Sequence, residues 1–270
     1  MMITDYKKKL AAYEGLVRKP ADFEHVWHQR MKTSVREVIR TRVPFCNETA
    51  IYEQMQITHE HGTIYARVIR PTEKNICPTV LMYHDLGRGI RGWHHMTRFI
   101  ALGYAVVALQ AEPSSFDWQQ NPEAAGFENR YRDALILADC TLGLPFVDRD
   151  RITTWGEGFG GALAIAAAAM LPVTVKCAAL NPMPADLRTF CAAEEAVLNR
   201  LDYVDAANFA PLIRGEVLLG ICLMDAIALP EGQYAVFNRL TCSRNAKVYP
   251  KYAHERVNFF ENEFVNFLHD

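Results

Sequence analysis

The stretch Gly156-Glu157-Gly158-Phe159-Gly160-Gly161 follows the run Ile152-Thr153-Thr154-Trp155 and leads into the helix-forming Ala162-Leu163-Ala164-Ile165-Ala166. A strand, a tight glycine-rich turn and an Ala-rich helix form the setting of a G-x-S-x-G nucleophile elbow. There the central residue stands at φ > 0 above a sheet, and small residues two before and two after let strand and helix pass closely. Gly156 and Gly160 supply the small residues, but the central position is Gly158, which carries neither hydroxyl nor thiol. Further along, Asp225 follows the apolar run Glu216–Cys222, and His254 follows Lys247-Val248-Tyr249. Nucleophile, acid and histidine in this order make an acyl-transfer relay. The histidine moves the nucleophile's proton, and the carboxylate orients the imidazole and stabilises its cation. Upstream, Met82-Tyr83 opens into His84-Asp85-Leu86-Gly87-Arg88-Gly89. The N–H of Leu86 in that loop and the N–H of Phe159 are the expected oxyanion-hole donors. Backbone donors survive side-chain exchange, so this half of the machinery does not depend on the nucleophile.

Each feature also has a plainer reading. Taken singly, Asp225 is a helix N-cap, His254 a loop histidine and the glycine turn a packing device. Gly156-x-Gly158-x-x-Gly161 formally fits the dinucleotide pattern. That pattern belongs to a first strand–helix unit followed by an acidic strand end. Here it lies past the middle of the chain, and the next run ends in Asn181-Pro182. His94-His95 lacks the partner spacing of a metal site.

The elements that must position these residues show in the hydrophobic pattern. Short apolar runs at Thr79–Tyr83, Ala105–Leu109, Ile152–Trp155, Cys177–Leu180, Glu216–Cys222 and Ala246–Tyr249 alternate with helical stretches. That rhythm predicts an α/β fold with a mostly parallel central sheet and helices on both faces. Residues 51–57 and 63–69 alternate with period two and predict an antiparallel hairpin ahead of it. Residues 1–45 are predicted as a helical N-terminal extension, broken at Pro20-Ala21-Asp22, and residues 181–214 as a cap-like insertion. One domain over residues 1–270 is expected, in the element order found in α/β-hydrolases.

With 270 residues, half of them hydrophobic, the chain can bury a large core. The balance of 29 Lys and Arg against 31 Asp and Glu gives a net charge of −2, so neither nucleic acid nor an anionic membrane is an expected partner. The longest uncharged stretch, Gly158 to Val175, is interrupted by Pro172 and falls short of the ~20 residues of a membrane span. The seven cysteines, Cys46 among them, are odd in number and form no C-x-x-C pair. They read as free thiols, and with no signal-peptide pattern at the start the expected location is cytoplasmic.

These residues resemble the acetyl xylan esterase/cephalosporin C deacetylase family of carbohydrate esterases. The likeness runs from Lys19-Pro20-Ala21-Asp22-Phe23 through Gly103-Tyr104-Ala105-Val106-Val107 and Val147-Asp148-Arg149-Asp150-Arg151. It continues to Leu223-Met224-Asp225 and Tyr252-Ala253-His254-Glu255. The resemblance implies an α/β-hydrolase fold, an acid role for Asp225 and a base role for His254. It also implies removal of acetyl groups from small acetylated sugars or similar esters, no cofactor, a small acylated ligand or substrate, and a homo-oligomer. Three departures stand against it. Gly158 replaces the serine, Gln110-Ala111-Glu112 replaces an Arg-Gly-Gln signature, and His84-Asp85-Leu86-Gly87 replaces a His-Gly-Tyr-Asn loop. Without the serine, the expectation is a stable protein that is inactive or very weak as an esterase. His254 would at most activate a water held where the serine oxygen belongs. An active deacetylase seen as a nucleophile knock-out is the alternative, and a non-catalytic ligand-binding or oligomer-partner protein is a further one.

Overall fold

Alternating and continuous apolar strands build one nine-stranded sheet of order β1-β2-β3-β5-β4-β6-β7-β8-β9 in the computed structural model. The structure describes residues 3–44, 47–90, 92–111, 126–173 and 175–269; Cys46 and Glu112 lie outside the described residues. The strands are β1 (Val35–Arg42), β2 (Ala50–His59), β3 (Gly62–Pro71), β4 (Cys77–Tyr83), β5 (Ala105–Gln110), β6 (Val147–Glu157), β7 (Lys176–Leu180), β8 (Val217–Cys222) and β9 (Arg244–Tyr249). β1, β2 and β3 pair antiparallel, as does β3 with β5; the remaining neighbours are parallel. Strands covered on both faces have no polar side to show. β8, with all six residues buried, reads as an unbroken apolar run for that reason.

The helices are α1 (Ile3–Leu10), α2 (Phe23–Met31), α3 (His94–Ala101), α4 (Phe127–Leu142), α5 (Phe159–Met170), α6 (Leu187–Phe190), α7 (Glu195–Leu201), α8 (Ala206–Phe209), α9 (Pro230–Arg239) and α10 (Asn258–His269). Two core layers sandwich the sheet. One packs α4, α5, α9 and the Trp27 ring of α2 together; the other holds Phe99 of α3 and Phe260 and Phe264 of α10 against Trp155. Between β7 and β8, the segment expected as a cap-like insertion runs through α6, α7 and α8.

The expectation of helix throughout residues 1–45 is corrected: β1 occupies Val35–Arg42, and the expected hairpin is a three-stranded antiparallel unit. Val35-Arg36-Glu37-Val38-Ile39-Arg40 fits either period at so short a length. Pairing with β2 decides it, leaving β1 as an exposed edge on which Arg36, Glu37 and Arg42 face solvent while Arg40 pairs with Glu53 of β2.

Candidate active site

Two neighbouring strands set the centre of the site. In the parallel β4–β6 register Tyr83 lies beside Gly156, so residues 85 and 158 both emerge two positions beyond that pair. This is the carboxyl edge of the sheet, at the point where strand order reverses and where ligands bind in open α/β folds. Gly158 adopts φ 57° and ψ −123° at the start of α5, a conformation that L side chains rarely take. Its N–H donates to Leu180 O at 2.9 Å and its carbonyl accepts from Met183 N at 3.1 Å, so the turn is fixed from both sides. A Cβ at Gly156 would collide with the carbonyl of Gly160, and one at Gly160 with the carbonyl of Tyr83. The close strand–helix passage expected of an elbow is therefore present.

Asp225 lies just beyond β8, buried, with Oδ1 accepting from Ile227 N and Ala228 N at 2.8 Å each. That turn aims Oδ2 at His254 Nδ1, 2.8 Å away. His254, in the loop between β9 and α10, is also held through its backbone: Arg88 donates to its carbonyl at 2.9 Å. The structure thus brings Gly158, Asp225 and His254 to one place.

The place of the missing serine is occupied. A Cβ at residue 158 would overlap the carboxylate of Asp85. Asp85 Oδ1 accepts from Leu86 N at 2.9 Å and from Phe159 N at 2.8 Å, the two expected oxyanion donors. Its Oδ2 lies 2.8 Å from His254 Nε2. The expectation of a water in this position is corrected: a carboxylate of the chain itself fills it. A phosphate seeking the N-terminus of α5 would meet the same carboxylate, which already takes the Phe159 N–H.

His254 therefore stands between two acceptor-only groups, and both ring nitrogens must carry hydrogen to bond them. Burial opposes the charge, but hydrogen bonds and Coulomb attraction from Asp225 and Asp85 outweigh it and push the pKa up to about 9. At neutral pH His254 is an imidazolium, a proton donor and not a base. His84 shows the reverse: burial lowers it, Nε2 accepts from Ala111 N at 3.3 Å, and Nδ1 faces the Asp85 carbonyl at 3.1 Å. Neutral and fixed in that tautomer, it holds the loop that presents Asp85.

A cavity of about 570 Å³ opens on this carboxylate, lined also by Leu86, Phe159, His84, Asn129 and Arg130. Among the described residues no cluster of His, Cys, Asp and Glu is arranged to hold a metal. No described helix is long and apolar enough to cross a membrane. Asp85 is the functional group that sequence reasoning missed. Its signal was there in Asp85 at the loop position where the resembled family has glycine, paired with glycine where that family has serine.

Comparison with known proteins bears on the family and the fold. A sequence model of the acetyl xylan esterase (AXE1) family matches residues 1–130, 117–191 and 187–270. The chain is similar to acetyl esterase Axe7A of Xylanibacter ruminicola, 24% identical across 86% of this chain and 63% of that protein. It thus spans less than two thirds of that curated relative's length. Acetyl xylan esterase 1 from Thermoanaerobacterium sp. JW/SL YS485 superposes with a TM-score of 0.85 at 23% identity, covering 99% of this chain and 98% of that one. An acetyl xylan esterase from Paenibacillus sp. R4 does so with 0.84 at 18% identity, covering 100% and 99%. The fold is that of α/β-hydrolases.

Proposed function

The chain belongs to the acetyl xylan esterase family, and from that premise we propose that it keeps the family's frame and acid–histidine pair but not the serine route to acetyl-ester hydrolysis. It is a deacetylase relative that cleaves acetyl esters very weakly. One observation carries this reading: the Asp85 carboxylate occupies the nucleophile's place and both oxyanion donors at once. Three requirements of acyl transfer fail together. Residue 158 offers no hydroxyl to attack, and the N–H groups that would receive the developing oxyanion are already satisfied. The imidazole that would accept the proton is already charged. Attack by Asp85 itself on an acetyl ester gives a mixed anhydride by expelling a far more basic alkoxide, which returns faster than it leaves.

A simple serine-to-glycine exchange in an intact esterase does not account for Asp85, since its carboxylate uses the space that the serine Cβ would need. Acetate release from p-nitrophenyl acetate and from acetylated xylo-oligosaccharides tests the reading. The chain is expected near the background rate, and Gly158→Ser alone to improve it less than about tenfold, because the new side chain meets Asp85. Rapid turnover by the unaltered chain, abolished by His254→Ala, sinks it.

A further inference from the structure

We propose that Asp85 is itself a nucleophile, taking alkyl groups from small molecules that bear an anionic leaving group, such as a halide, on a saturated carbon. The inference rests on the reading that Asp85 has displaced the serine chemistry, and it asks what that carboxylate is placed to do. Carboxylates are competent nucleophiles at saturated carbon, where the product is a stable ester and the leaving group does not return. Asp85 is 4% exposed, yet it lines the cavity of about 570 Å³. A molecule entering there meets Asp85 beside Leu86 and Phe159; His254, bonded to Oδ2, is not among the cavity's lining residues.

The ester so formed would sit as a substrate ester sits in a serine esterase. Oδ1, its carbonyl oxygen, already lies between the N–H groups of Leu86 and Phe159. Oδ2, the alkylated oxygen, is beside His254 Nε2. In the first step Oδ2 bonds to carbon as the carbon–halogen bond breaks, and halide leaves with the electron pair. Asp85 then has no charge, one of the two carboxylates that kept His254 protonated is gone, and the imidazolium gives its Nε2 proton to solvent. In the second step neutral His254, still oriented by Asp225, takes a proton from water as the water oxygen bonds to Asp85 Cγ. The negative charge falls on Oδ1 between its two donors. Collapse breaks the Cγ–Oδ2 bond, the departing alcohol takes the proton from His254, and the regenerated carboxylic acid reprotonates His254. Alkyl halide and water give alcohol, halide and one proton. The same imidazole is an idle cation before alkylation and a base after it.

The test uses 2-bromoethanol. Bromide release is expected from the unaltered protein and is expected to fall roughly 10³-fold in Asp85→Asn. In His254→Gln hydrolysis stalls, so intact-mass and peptide analysis should find one hydroxyethyl group on Asp85. A single turnover in ¹⁸O-water should place the label in Asp85 before it reaches the product. Thermal melts confirm that both variants are folded. If the protein releases no bromide and folded His254→Gln carries no adduct, or if the adduct is on another residue, the proposal is overturned. Parallel acetate assays separate the two readings. Fast acetyl-ester turnover defeats the premise, whereas slow turnover with no Asp85 adduct defeats the nucleophile alone.

Discussion

Asp205 and Asp85 are both buried, and each accepts hydrogen bonds from backbone N–H groups at the start of a helical segment. Asp205 takes Asp186 N and Ala207 N at 3.0 Å and Leu187 N at 2.8 Å. It closes the excursion between β7 and β8, onto which the N-terminal segment docks through Tyr13 and the N–H groups of Leu16 and Val17 on Asp186. Asp85 takes Leu86 N and Phe159 N in the same way, but it also holds His254 and faces a cavity. The bonding is alike and the outcome differs with what stands on the far side. Satisfying orphan N–H groups stabilises a turn. When those groups are an oxyanion hole, the same bonds close it to an ester carbonyl.

The sharpest way to break this comparison is to return both exchanged residues to the pattern of the resembled family. Asp85→Gly with Gly158→Ser should raise p-nitrophenyl acetate turnover about 10³-fold over the unaltered chain, since nucleophile, free donors and neutral imidazole return together. Turnover by the double variant no better than by Gly158→Ser alone would mean that Asp85 is not the obstruction. Asp205→Ala should leave turnover untouched and destabilise the fold by about 3 kcal/mol, because three backbone donors lose their acceptor. Urea unfolding measures this, and an unchanged midpoint would remove Asp205 from its structural role.

Stability against pH sharpens the contrast. His254 is raised from 6.5 to about 9 by Asp225 and Asp85 against the effect of burial. Its contribution is full below pH 6.5 and is lost as pH rises through 9, up to about 3 kcal/mol. Asp85→Asn should flatten the decline of the urea midpoint across that window; an equally steep decline would show that the Asp85–His254 pair does not form. Asp205, raised by burial to about 6 from 3.8, disfavours the folded state as pH rises between those values, and Asp205→Asn should remove that separate slope. The smallest effect is expected from Tyr13→Phe, which deletes the 2.6 Å bond to Asp186. A loss of about 1 kcal/mol with no change at the active site would keep the two regions independent.

Much of the frame was legible along the chain because its signals are local. The elbow was written in Gly156, Gly158 and Gly160, whose spacing reflects a steric demand between one strand and the helix that follows it. The strand end that presents Asp225 was marked by an apolar run, since β8 is buried on both faces and has no polar positions to hide it. β9, before His254, is instead a half-exposed edge strand, legible only through its short Ala246–Tyr249 run. β1 was not legible. Its residues carry a pattern too short to fix a period, and only the neighbouring β2 gives it a partner.

The sequence by itself determined that a nucleophile was missing from an otherwise complete elbow, because the absence of an oxygen is a fact of composition. Only the tertiary structure decided what took its place. Asp85 and Phe159 are 74 positions apart, and their meeting depends on β4 and β6 lying side by side and on a space that exists only because residue 158 has no Cβ. Whether His254 is a base or a cation follows from the same meeting, since its charge is set by the carboxylates that surround it in space.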